Sequence, residues 1–437
     1  MKRPLRYERT RHAAVRTGDY VFNQLIPYIG NKRKLLDLIQ EALASTLSQR
    51  GATFLDLFAG SGVVSRLAKV LGYRVIANDW EPYAKAINAC YIGCNSAPPF
   101  SDLGGYDAAI EALNTLPPRV DWVSEHLCPR DDKNYDPAKE RLFFMRKNGM
   151  RIDAIRHQIA IWKQTGAISD AEECCLLAPL LYQVCYTSNT SGVFKGFHNG
   201  WGGQTGTALY RIAGDLRLAP SVFYDNGRDN QVICQDAQAA AEQLADTEVD
   251  AAYLYPPYNQ HPYGSNYHVL NTVTLWDKPA LSRNITNGDK AAIRTDWRTE
   301  RRSAYNYKAD AGAAYARLLA TLNARRILTS YSTDGTIPLQ QMLKNNGDRG
   351  RVTLTMRGYK RYRVSSQRFS EKPMNVEILI LVDTHRRNDT SADELLDRIL
   401  TSERTVLAKH PECRDHEDGQ LMLLGERRQQ AAETMPA

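Results

Sequence analysis

The stretch Thr53-Phe54-Leu55-Asp56-Leu57-Phe58-Ala59-Gly60-Ser61-Gly62 decides the fold. Its first six residues are mostly apolar and predict a buried strand, which runs into a glycine-rich turn. A helix is predicted from Val63 to about Leu71, and a second apolar strand, Arg74–Asn78, follows it. A strand, a helix and another strand in this rhythm predict parallel pairing, and therefore an α/β sheet.

The glycine-rich turn is suited to binding a nucleotide-like ligand. Gly60 and Gly62 let a ligand approach the backbone closely, and the helix that follows offers unpaired N–H groups at its first turn. Asp79 ends the next strand about 20 residues on, where a carboxylate can hold ribose hydroxyls. Because the turn has only two glycines, the three-glycine fingerprint of dinucleotide-binding folds is not supported. Asp79 could instead simply cap the helix that begins near Pro82.

Composition sets broad limits on the function. The 437 residues predict two or three domains, and the net charge of +7 leans towards a polyanionic partner, although solubility alone explains it equally well. The eight cysteines form no CxxC pair, so no metal site is indicated, and free thiols suit a cytoplasmic protein. No apolar run reaches about 18 residues, so we predict no membrane span. The composition gives no indication of the oligomeric state.

Changes of pattern along the chain predict four regions. The first is rich in arginine, the second alternates strands with helices in two separate segments, the third carries long helical patterns, and the last is polar. One of the helical patterns starts at a capping box, Ser169–Glu172. The regions are a basic N-terminal arm at 1–23, a domain of alternating strands and helices at 24–99 and 226–385, an inserted, mainly helical domain at 100–225, and a polar, helical or disordered tail at 386–437.

A second informative stretch is Tyr255-Pro256-Pro257-Tyr258, which follows the apolar run Ala251–Leu254. Proline cannot donate a ladder hydrogen bond, so the strand must stop at this point. The remaining rigid turn offers a backbone carbonyl and an aromatic ring, which suit a planar base with an exocyclic amine. An ordinary turn at the end of a strand is the alternative interpretation.

These stretches, together with others in the same order, resemble the motifs of the DNA adenine-N6 methyltransferase family. The match to motif X is close at Pro27, Tyr28, Gly30 and Lys32. The remaining matches are Asp56–Gly62 to motif I, Asn78-Asp79 to motif II, Asp236 to motif III, Tyr255–Tyr258 to motif IV, Asn259–His268 to the Asn-x-x-x-Tyr-x-x-Asn-Tyr-His extension and Ser330–Gly335 to a later Ser-Tyr-Ser element.

The resemblance implies a Rossmann-like methyltransferase sheet, with residues 100–225 as a target-recognition domain. It implies methyl transfer from S-adenosylmethionine to the N6 amine of a flipped adenine, at a specific sequence in double-stranded DNA, with a cognate restriction enzyme as a further partner. The residues that it implies for the cofactor are Tyr28, Lys32, Asp56, Phe58, Gly60, Gly62, Asp79 and Asp236. The residues that it implies for catalysis are Tyr255, Pro256, Pro257 and Tyr258.

Motif IV departs from the family at its first position, where Tyr255 replaces an Asp, Asn or Ser. The carbonyl of Pro256 is our candidate acceptor for the target amine, and Tyr258 is our candidate for stacking on the base. Three outcomes are open for the second acceptor: the Tyr255 hydroxyl serves, Asn259 or Asn266 substitutes for it, or the enzyme is weak or inactive. Methylation of RNA or of cytosine N4, and a catalytically impaired DNA-binding relative, are the alternatives.

Three further segments are candidates for DNA contact. Arg357–Arg363 carries four cations and two aromatics, which as a strand would present a basic stripe to phosphates. The other two segments are Arg298–Arg302 and the glycine-rich loop at 189–203, in which Trp201 could replace a flipped base. A solvated charged face explains the first of these equally well.

Overall fold

A computed structural model gives the fold of the chain. It describes residues 17–44, 51–203, 205–333, 335–360, 374–408, 413–415 and 421–423. The strands in this part of the chain are Thr53–Asp56 (β1), Arg74–Asn78 (β2), Gln231–Ile233 (β3), Val249–Leu254 (β4), Ala324–Ser332 (β5), Arg351–Lys360 (β6), Met374–Asp383 (β7), Cys413–Asp415 (β8) and Leu421–Leu423 (β9).

The α-helices of the described residues lie before and between these strands. In chain order they are Thr17–Phe22 (α1), Leu36–Ala44 (α2), Val63–Val70 (α3), Pro82–Asn88 (α4), Tyr106–Thr115 (α5), Trp122–His126 (α6), Arg146–Gln164 (α7), Asp170–Thr187 (α8), Leu209–Ile212 (α9), Ala237–Gln243 (α10), Tyr263–Asn266 (α11), His268–Leu275 (α12), Lys308–Thr321 (α13), Leu339–Gly347 (α14) and Ala392–Ala408 (α15). None of them combines the length and the apolar character that crossing a membrane requires.

These elements group into two compact units. The first unit holds the described residues up to Gln40, those from residue 51 to Ala240, and His261–Ser303. The second unit holds residues 41–44, Ala241–Gln260 and the described residues from Ala304 onwards. The residues that the sequence assigns to the cofactor are therefore all in the first unit, and motif IV is in the second.

In the first unit, β3, β2 and β1 pair in that order, and both pairings are parallel. β1 and β2 are almost completely buried, which explains why they read as continuous apolar runs. The predicted strand, helix and strand are confirmed, and α3 begins at Val63 as expected. β1 ends at Asp56, two residues earlier than predicted, because the Phe58 amide turns back to the Asp56 carboxylate, with 3.3 Å between N and Oδ1.

The predicted insert, residues 100–225, lies within the first unit, and its described residues form helices and loops without a strand. The predicted capping box is confirmed at the start of α8. The Ser169 amide donates to Glu172 Oε2 over 2.7 Å, and the Glu172 amide donates to Ser169 Oγ over 3.3 Å. The boundaries of the insert stay a prediction, since it shares one compact unit with β1–β3.

In the second unit, the strands pair in the order β4, β5, β7, β6. β4 and β5 are parallel, and the other two pairings are antiparallel. Leu328 on β5 faces Leu381 on β7, and the fully buried Ile327 and Ile380 fill the core. Parallel strands joined by helices in both units confirm the predicted α/β class.

Part of the predicted basic arm is packed. Residues 1–16 lie outside the described residues, but Tyr20 and Val21 on α1 have no exposed surface. The Tyr20 hydroxyl donates to the carbonyl of Tyr91, so residues 17–22 are an integral helix of the first unit. At the other end, α15 is the polar helix expected after residue 386, and most of the chain after it lies outside the described residues.

α3 buries two cations, Arg66 and Lys69, neither of which has exposed surface. The Lys69 ammonium donates to the carbonyls of Tyr91, Ile92 and Cys94 over 3.2, 3.0 and 2.7 Å. Tyr91 and Ile92 lie in the π-helical turn Ala89–Gly93, which extends α4, and Cys94 follows it, so these carbonyls stand at a helix end, where intrahelical donors run out. A buried lysine thus caps the helix that follows β2.

Replacing this cation should destabilise the protein. We expect Lys69→Met to lower the free energy of unfolding by about 3 kcal/mol, because the carbonyls of Ile92 and Cys94 lose this donor and that of Tyr91 keeps only the Tyr20 hydroxyl. Denaturant unfolding followed by circular dichroism measures the effect. The matched control is Lys85→Met on α4, a partly exposed lysine, for which we expect a change within about 0.5 kcal/mol. Equal midpoints for the two variants would contradict the capping role.

Candidate active site

The turn after β1 requires both of its glycines. Gly60 has a φ of 51° and Gly62 a φ of 77°, a region that side chains other than glycine rarely occupy. A Cβ on Gly60 would lie 2.7 Å from Cε1 of Tyr28, and a Cβ on Gly62 would collide with Oδ1 of Asn88. The two positions are therefore fixed by close contacts as well as by backbone conformation.

Asp79 lies beside this turn, at the end of β2. Its Oδ2 accepts a hydrogen bond from the Gly60 amide over 2.8 Å, and its Oδ1 accepts one from the Glu81 amide over 2.9 Å. Burial raises the pKa of Asp79 to about 6, against the stabilising effect of these two amides. Each oxygen of a carboxylate has two lone pairs, so Asp79 retains acceptor capacity for a ligand.

Asp56 faces inwards and supports the turn. Only 1% of it is exposed, and its Oδ2 accepts from Ser65 Oγ on α3 over 2.8 Å. Burial raises the pKa of Asp56 to about 7. Phe58, two residues later, is partly exposed, as expected of a residue that contacts a ligand.

Tyrosines form a wall on the Tyr28 side of the turn. The Tyr28 ring lies 5.0 Å from the rings of both Tyr263 and Tyr267, nearly parallel to each. The Tyr267 hydroxyl accepts from the Ile29 amide over 2.8 Å, and the Tyr263 hydroxyl donates to the Ile29 carbonyl over 3.0 Å. Burial holds the pKa of Tyr28 well above its usual value, so its hydroxyl stays protonated. The motif X turn is thus clamped by two residues of the extension.

Lys32 and Asp236 occupy more structural positions. Lys32 is buried just before α2, where its carbonyl accepts from the Leu35 amide over 2.8 Å. Asp236 follows β3, and its Oδ1 accepts from the Gln238 amide over 2.9 Å at the start of α10. The contacts of the described residues join Tyr28, Gly60 and Asp79 into one group, with Asp56 at the end of β1 bonded to Ser65 and Phe58, whereas Asp236 is placed as a helix cap.

Two asparagines beyond the predicted cofactor residues also hold the glycine turn and its neighbours. The buried Asn88 donates from Nδ2 to the Gly60 carbonyl over 3.1 Å. Asn78 joins the ends of two strands, because its Nδ2 donates to the carbonyls of Leu57 and Gln235 over 3.2 and 3.1 Å. The position of Asn78 at the end of β2 was a signal for it, whereas nothing in the sequence distinguishes Asn88 from an ordinary helical residue.

A buried acid also goes beyond the sequence prediction. Glu81, at the start of α4, accepts from Asn271 Nδ2 over 2.6 Å and lies 3.7 Å from the Arg301 guanidinium. Burial raises the pKa of Glu81 to about 7. Asn271 also accepts from the Tyr83 amide over 3.3 Å, so α12 is fastened to the first turn of α4. Arg301, a candidate for DNA contact, therefore lies next to a buried carboxylate of the first unit.

In the second unit, β4 ends at Leu254, directly before motif IV. Pro256 is buried, while Tyr255 and Tyr258 are partly exposed, with their ring centroids 5.7 Å apart. The Tyr258 carbonyl accepts from the Thr336 amide over 3.1 Å. The segment after the Ser-Tyr-Ser element of β5 therefore holds the turn in place.

Comparison with known proteins assigns the family. Residues 28–296 match the model of the D12 class N6 adenine-specific DNA methyltransferases. The chain belongs to this family. It is therefore an adenine-specific DNA methyltransferase that uses S-adenosylmethionine, with the Rossmann-like methyltransferase fold that the motifs predicted. Family membership does not favour the alternatives of RNA or cytosine N4 as the methyl acceptor.

Individual relatives agree with the family model. The chain is 31% identical to the Type II methyltransferase M.NlaIII of Neisseria lactamica over 339 residues, which cover 77% of this chain and 92% of that protein. It is 30% identical to the Type II methyltransferase M.CviAII of Paramecium bursaria Chlorella virus 1, again over 77% of this chain and 93% of the relative. M.FokI of Planomicrobium okeanokoites is 32% identical over 73% of this chain, which spans only 47% of that longer protein.

The residues around the glycine turn fit the cofactor that the family requires. S-adenosylmethionine carries ribose hydroxyls, an adenine and a charged sulfonium group. The Asp79 carboxylate beside the glycine turn and the ring of Tyr28 provide a hydroxyl acceptor and aromatic surface for these groups. We therefore expect this side of the first unit to hold the cofactor.

Cofactor affinity should depend on pH through Asp79. Its carboxylate must be ionised to accept from ribose hydroxyls, and with a pKa of about 6 it gains a proton as the pH falls below that value. We expect the affinity to decline from about pH 7.5 to about pH 5, and Asp79→Asn to bind weakly with a flatter profile. Titration calorimetry measures both. Identical profiles in the two proteins would contradict its role.

The hydrogen bonds of Tyr263 and Tyr267 with the Ile29 backbone, which we call the tyrosine clamp, generate a second prediction. Tyr267→Phe removes the acceptor of the Ile29 amide but keeps the ring, so we expect cofactor affinity to fall by about three- to tenfold. Equilibrium dialysis with labelled cofactor measures the change. Tyr315→Phe in the second unit, which removes a buried hydroxyl 2.7 Å from Thr329 Oγ1, is the matched control. Wild-type affinity in the Tyr267→Phe protein would show that the clamp does not shape the site.

Proposed function

We propose that this methyltransferase acts on a flipped adenine at a defined sequence of double-stranded DNA, and that Tyr255–Tyr258 hold the base. The observation that carries the proposal is the end of β4 at Leu254, with the Tyr258 carbonyl fixed by the Thr336 amide. This rigid turn supports a stationary carbonyl and a partly exposed ring at one place. A flipped base needs both, an acceptor for its amine and a surface on which to stack.

Methyl transfer to the N6 amine requires that the amine be positioned accurately and does not require a strong base. The N6 amine is a poor nucleophile because its lone pair is delocalised into the ring, and S-adenosylmethionine supplies an electrophilic methyl group when bound. In our proposal the Pro256 carbonyl accepts a hydrogen bond from the amine and so favours a reactive, pyramidal nitrogen. Tyr258 stacks on the ring and fixes its orientation, which removes much of the entropic cost of reaction.

The N6 amine needs a second hydrogen-bond acceptor, and at this position Tyr255 replaces the shorter polar side chain that is usual in the family. The proximity of the Tyr255 and Tyr258 rings supports a role for the Tyr255 hydroxyl next to the base. Asn306 brings a further amide to motif IV, since its Nδ2 donates to the Asn259 carbonyl over 2.8 Å. We propose the Tyr255 hydroxyl as the acceptor. Asn259, Asn266 and Asn306 are its possible replacements.

The remaining proposals concern partners. The loop at 189–203 supports a recognition role for residues 100–225, although Trp201 serves as an anchor, with its Nε1 donating to the Asp132 carbonyl over 2.9 Å. Residues 361–363 of the predicted basic stripe lie outside the described residues. Because the relatives are named Type II methyltransferases, we propose a cognate restriction enzyme as partner, and a cytoplasmic location with the DNA.

The function is tested by offering the purified enzyme several acceptors. Mixed-sequence duplex DNA, single-stranded DNA and RNA are incubated with labelled S-adenosylmethionine, and the digested products are separated as nucleosides. We expect label only in N6-methyladenine from duplex DNA, at one short sequence when the sites are mapped. Label in RNA or in N4-methylcytosine would overturn the proposal, and cofactor binding without transfer would identify a catalytically impaired relative.

Substitution of Tyr255 tests the assignment of the acceptor. If its hydroxyl accepts from the amine, Tyr255→Phe should lower kcat by about 10- to 100-fold and leave cofactor affinity unchanged. Tyr255→Asp supplies the side chain usual in the family and should retain activity. Tyr253→Phe, which loses a 2.8 Å hydrogen bond from its buried hydroxyl to Ser330, is the control for structural effects. Full activity in Tyr255→Phe would move the role to an asparagine.

A further inference from the structure

Residues 277–292, which we name the strap, form an extended connection that the motifs leave unexplained. The strap follows α12 and contains neither a helix nor a strand. Three of its residues other than glycine, Lys278, Asn287 and Ala292, have φ values of 46°, 52° and 51°. Long irregular segments and unfavourable backbone conformations both concentrate at functional sites.

The strap is fastened to the predicted insert, although it follows motif IV in the sequence. At one end, Trp122 Nε1 donates to the Pro279 carbonyl over 2.8 Å. The Lys278 ammonium lies 2.7 and 2.9 Å from the two carboxylate oxygens of Asp121. Side chains of α6 and the residue before it thus hold the beginning of the strap.

A buried arginine holds the middle of the strap. Only 1% of Arg141 is exposed, and its guanidinium donates to the carbonyls of Ser282 and Asp289 over 2.7 and 3.1 Å. Alongside it, the Ile285 amide donates to the Lys139 carbonyl over 2.8 Å. A guanidinium that bonds backbone carbonyls fixes the path of the chain irrespective of the strap's side chains, which leaves those side chains open to other uses.

The strap ends at the glycine-rich loop, residues 189–203. The Lys290 ammonium donates to Asn199 Oδ1 and lies 4.6 Å from the centre of the Phe197 ring. The loop itself is ordered by the buried Asn189, whose Nδ2 donates to the His198 carbonyl over 3.1 Å. Among the described residues, no carboxylate forms an ion pair with Lys290, so its charge is available on this surface.

The loop and its surroundings are suited to a polyanion. No aspartate or glutamate occurs between Glu173 and Asp215, a stretch that includes the whole loop. Three of the six large apolar residues that are exposed in the described chain, Tyr186, Leu209 and Tyr210, also lie in this stretch, with Tyr210 73% exposed. A stretch of chain that lacks carboxylates and exposes aromatic side chains suits the charge and the sugar edges of a DNA duplex.

We infer that the strap is a second, non-contiguous part of the DNA-contacting surface, in which Lys290 contacts a backbone phosphate of the duplex and Arg141 is a positioning residue. The inference rests on the proposed action on double-stranded DNA. It extends the recognition surface beyond residues 100–225 to a segment that the chain forms after motif IV.

Lys290→Met tests the phosphate contact, with a duplex that the wild-type enzyme methylates as the probe. We expect the Kd for this duplex to rise about tenfold, uniformly across sequences, and the plot of log Kd against log salt to lose about one unit of slope. Cofactor affinity should not change. Lys290→Arg should bind DNA as the wild type does. The control is Lys344→Met, an exposed lysine of the second unit that pairs with Asp348.

Arg141→Met tests the positioning role independently. We expect weaker DNA binding and faster trypsin cleavage at Arg283 and Lys290, with cofactor affinity retained. Wild-type DNA binding and salt slope in Lys290→Met, or an equal loss of cofactor affinity in that variant, would overturn the inference. These results differ from failure of the proposed function, in which the wild-type enzyme itself would neither bind nor methylate duplex DNA. If Arg141→Met does not fold, the Lys290 variants still decide.

Discussion

The absence of a side chain at Gly60 is the constraint on which the turn after β1, and with it the proposed cofactor site of the first unit, depends. Three groups from different parts of the chain meet this residue: the Asp79 carboxylate at its amide, the Asn88 side chain at its carbonyl and the Tyr28 ring against its Cα. Any Cβ would push the Tyr28 ring away. Because each group reaches Gly60 from its own element, displacement of one of them would disturb the turn from which α3 begins.

The same turn connects the cofactor motifs to the extension after motif IV. Tyr263 and Tyr267 hold both polar groups of the Ile29 backbone, and their rings pack against Tyr28. The extension therefore has a physical role that its sequence pattern does not reveal, since it sets the position of the motif X tyrosine. The segment that continues the chain after motif IV is thereby also a structural part of the turn that carries Tyr28.

How much of the structure the sequence could predict depends on how far apart in the chain the interacting residues are. β1, α3 and β2 follow from short apolar patterns, and the start of α8 follows from the capping box at Ser169, because these signals act within a few residues. The contacts of Arg141 with the strap lie beyond such reasoning, since the partners are far apart in the chain and are backbone carbonyls that any residue supplies. The same applies to Asn88, because its hydrogen bond to the Gly60 carbonyl forms only where α4 packs against the glycine turn.

A tyrosine at position 255 is compatible with the proposed chemistry because one of the proposed acceptors, the Pro256 carbonyl, belongs to the backbone and not to a side chain. A backbone carbonyl is set by the path of the chain, and two consecutive prolines fix that path whatever residue precedes them. The Tyr258 carbonyl is held separately by the Thr336 amide, so the turn does not depend on the Tyr255 side chain for its position. Substitution at this position therefore changes the proposed second acceptor, while the Tyr258 ring and the Pro256 carbonyl stay in place. A family site can lose its usual first residue and keep the rest of its geometry for this reason.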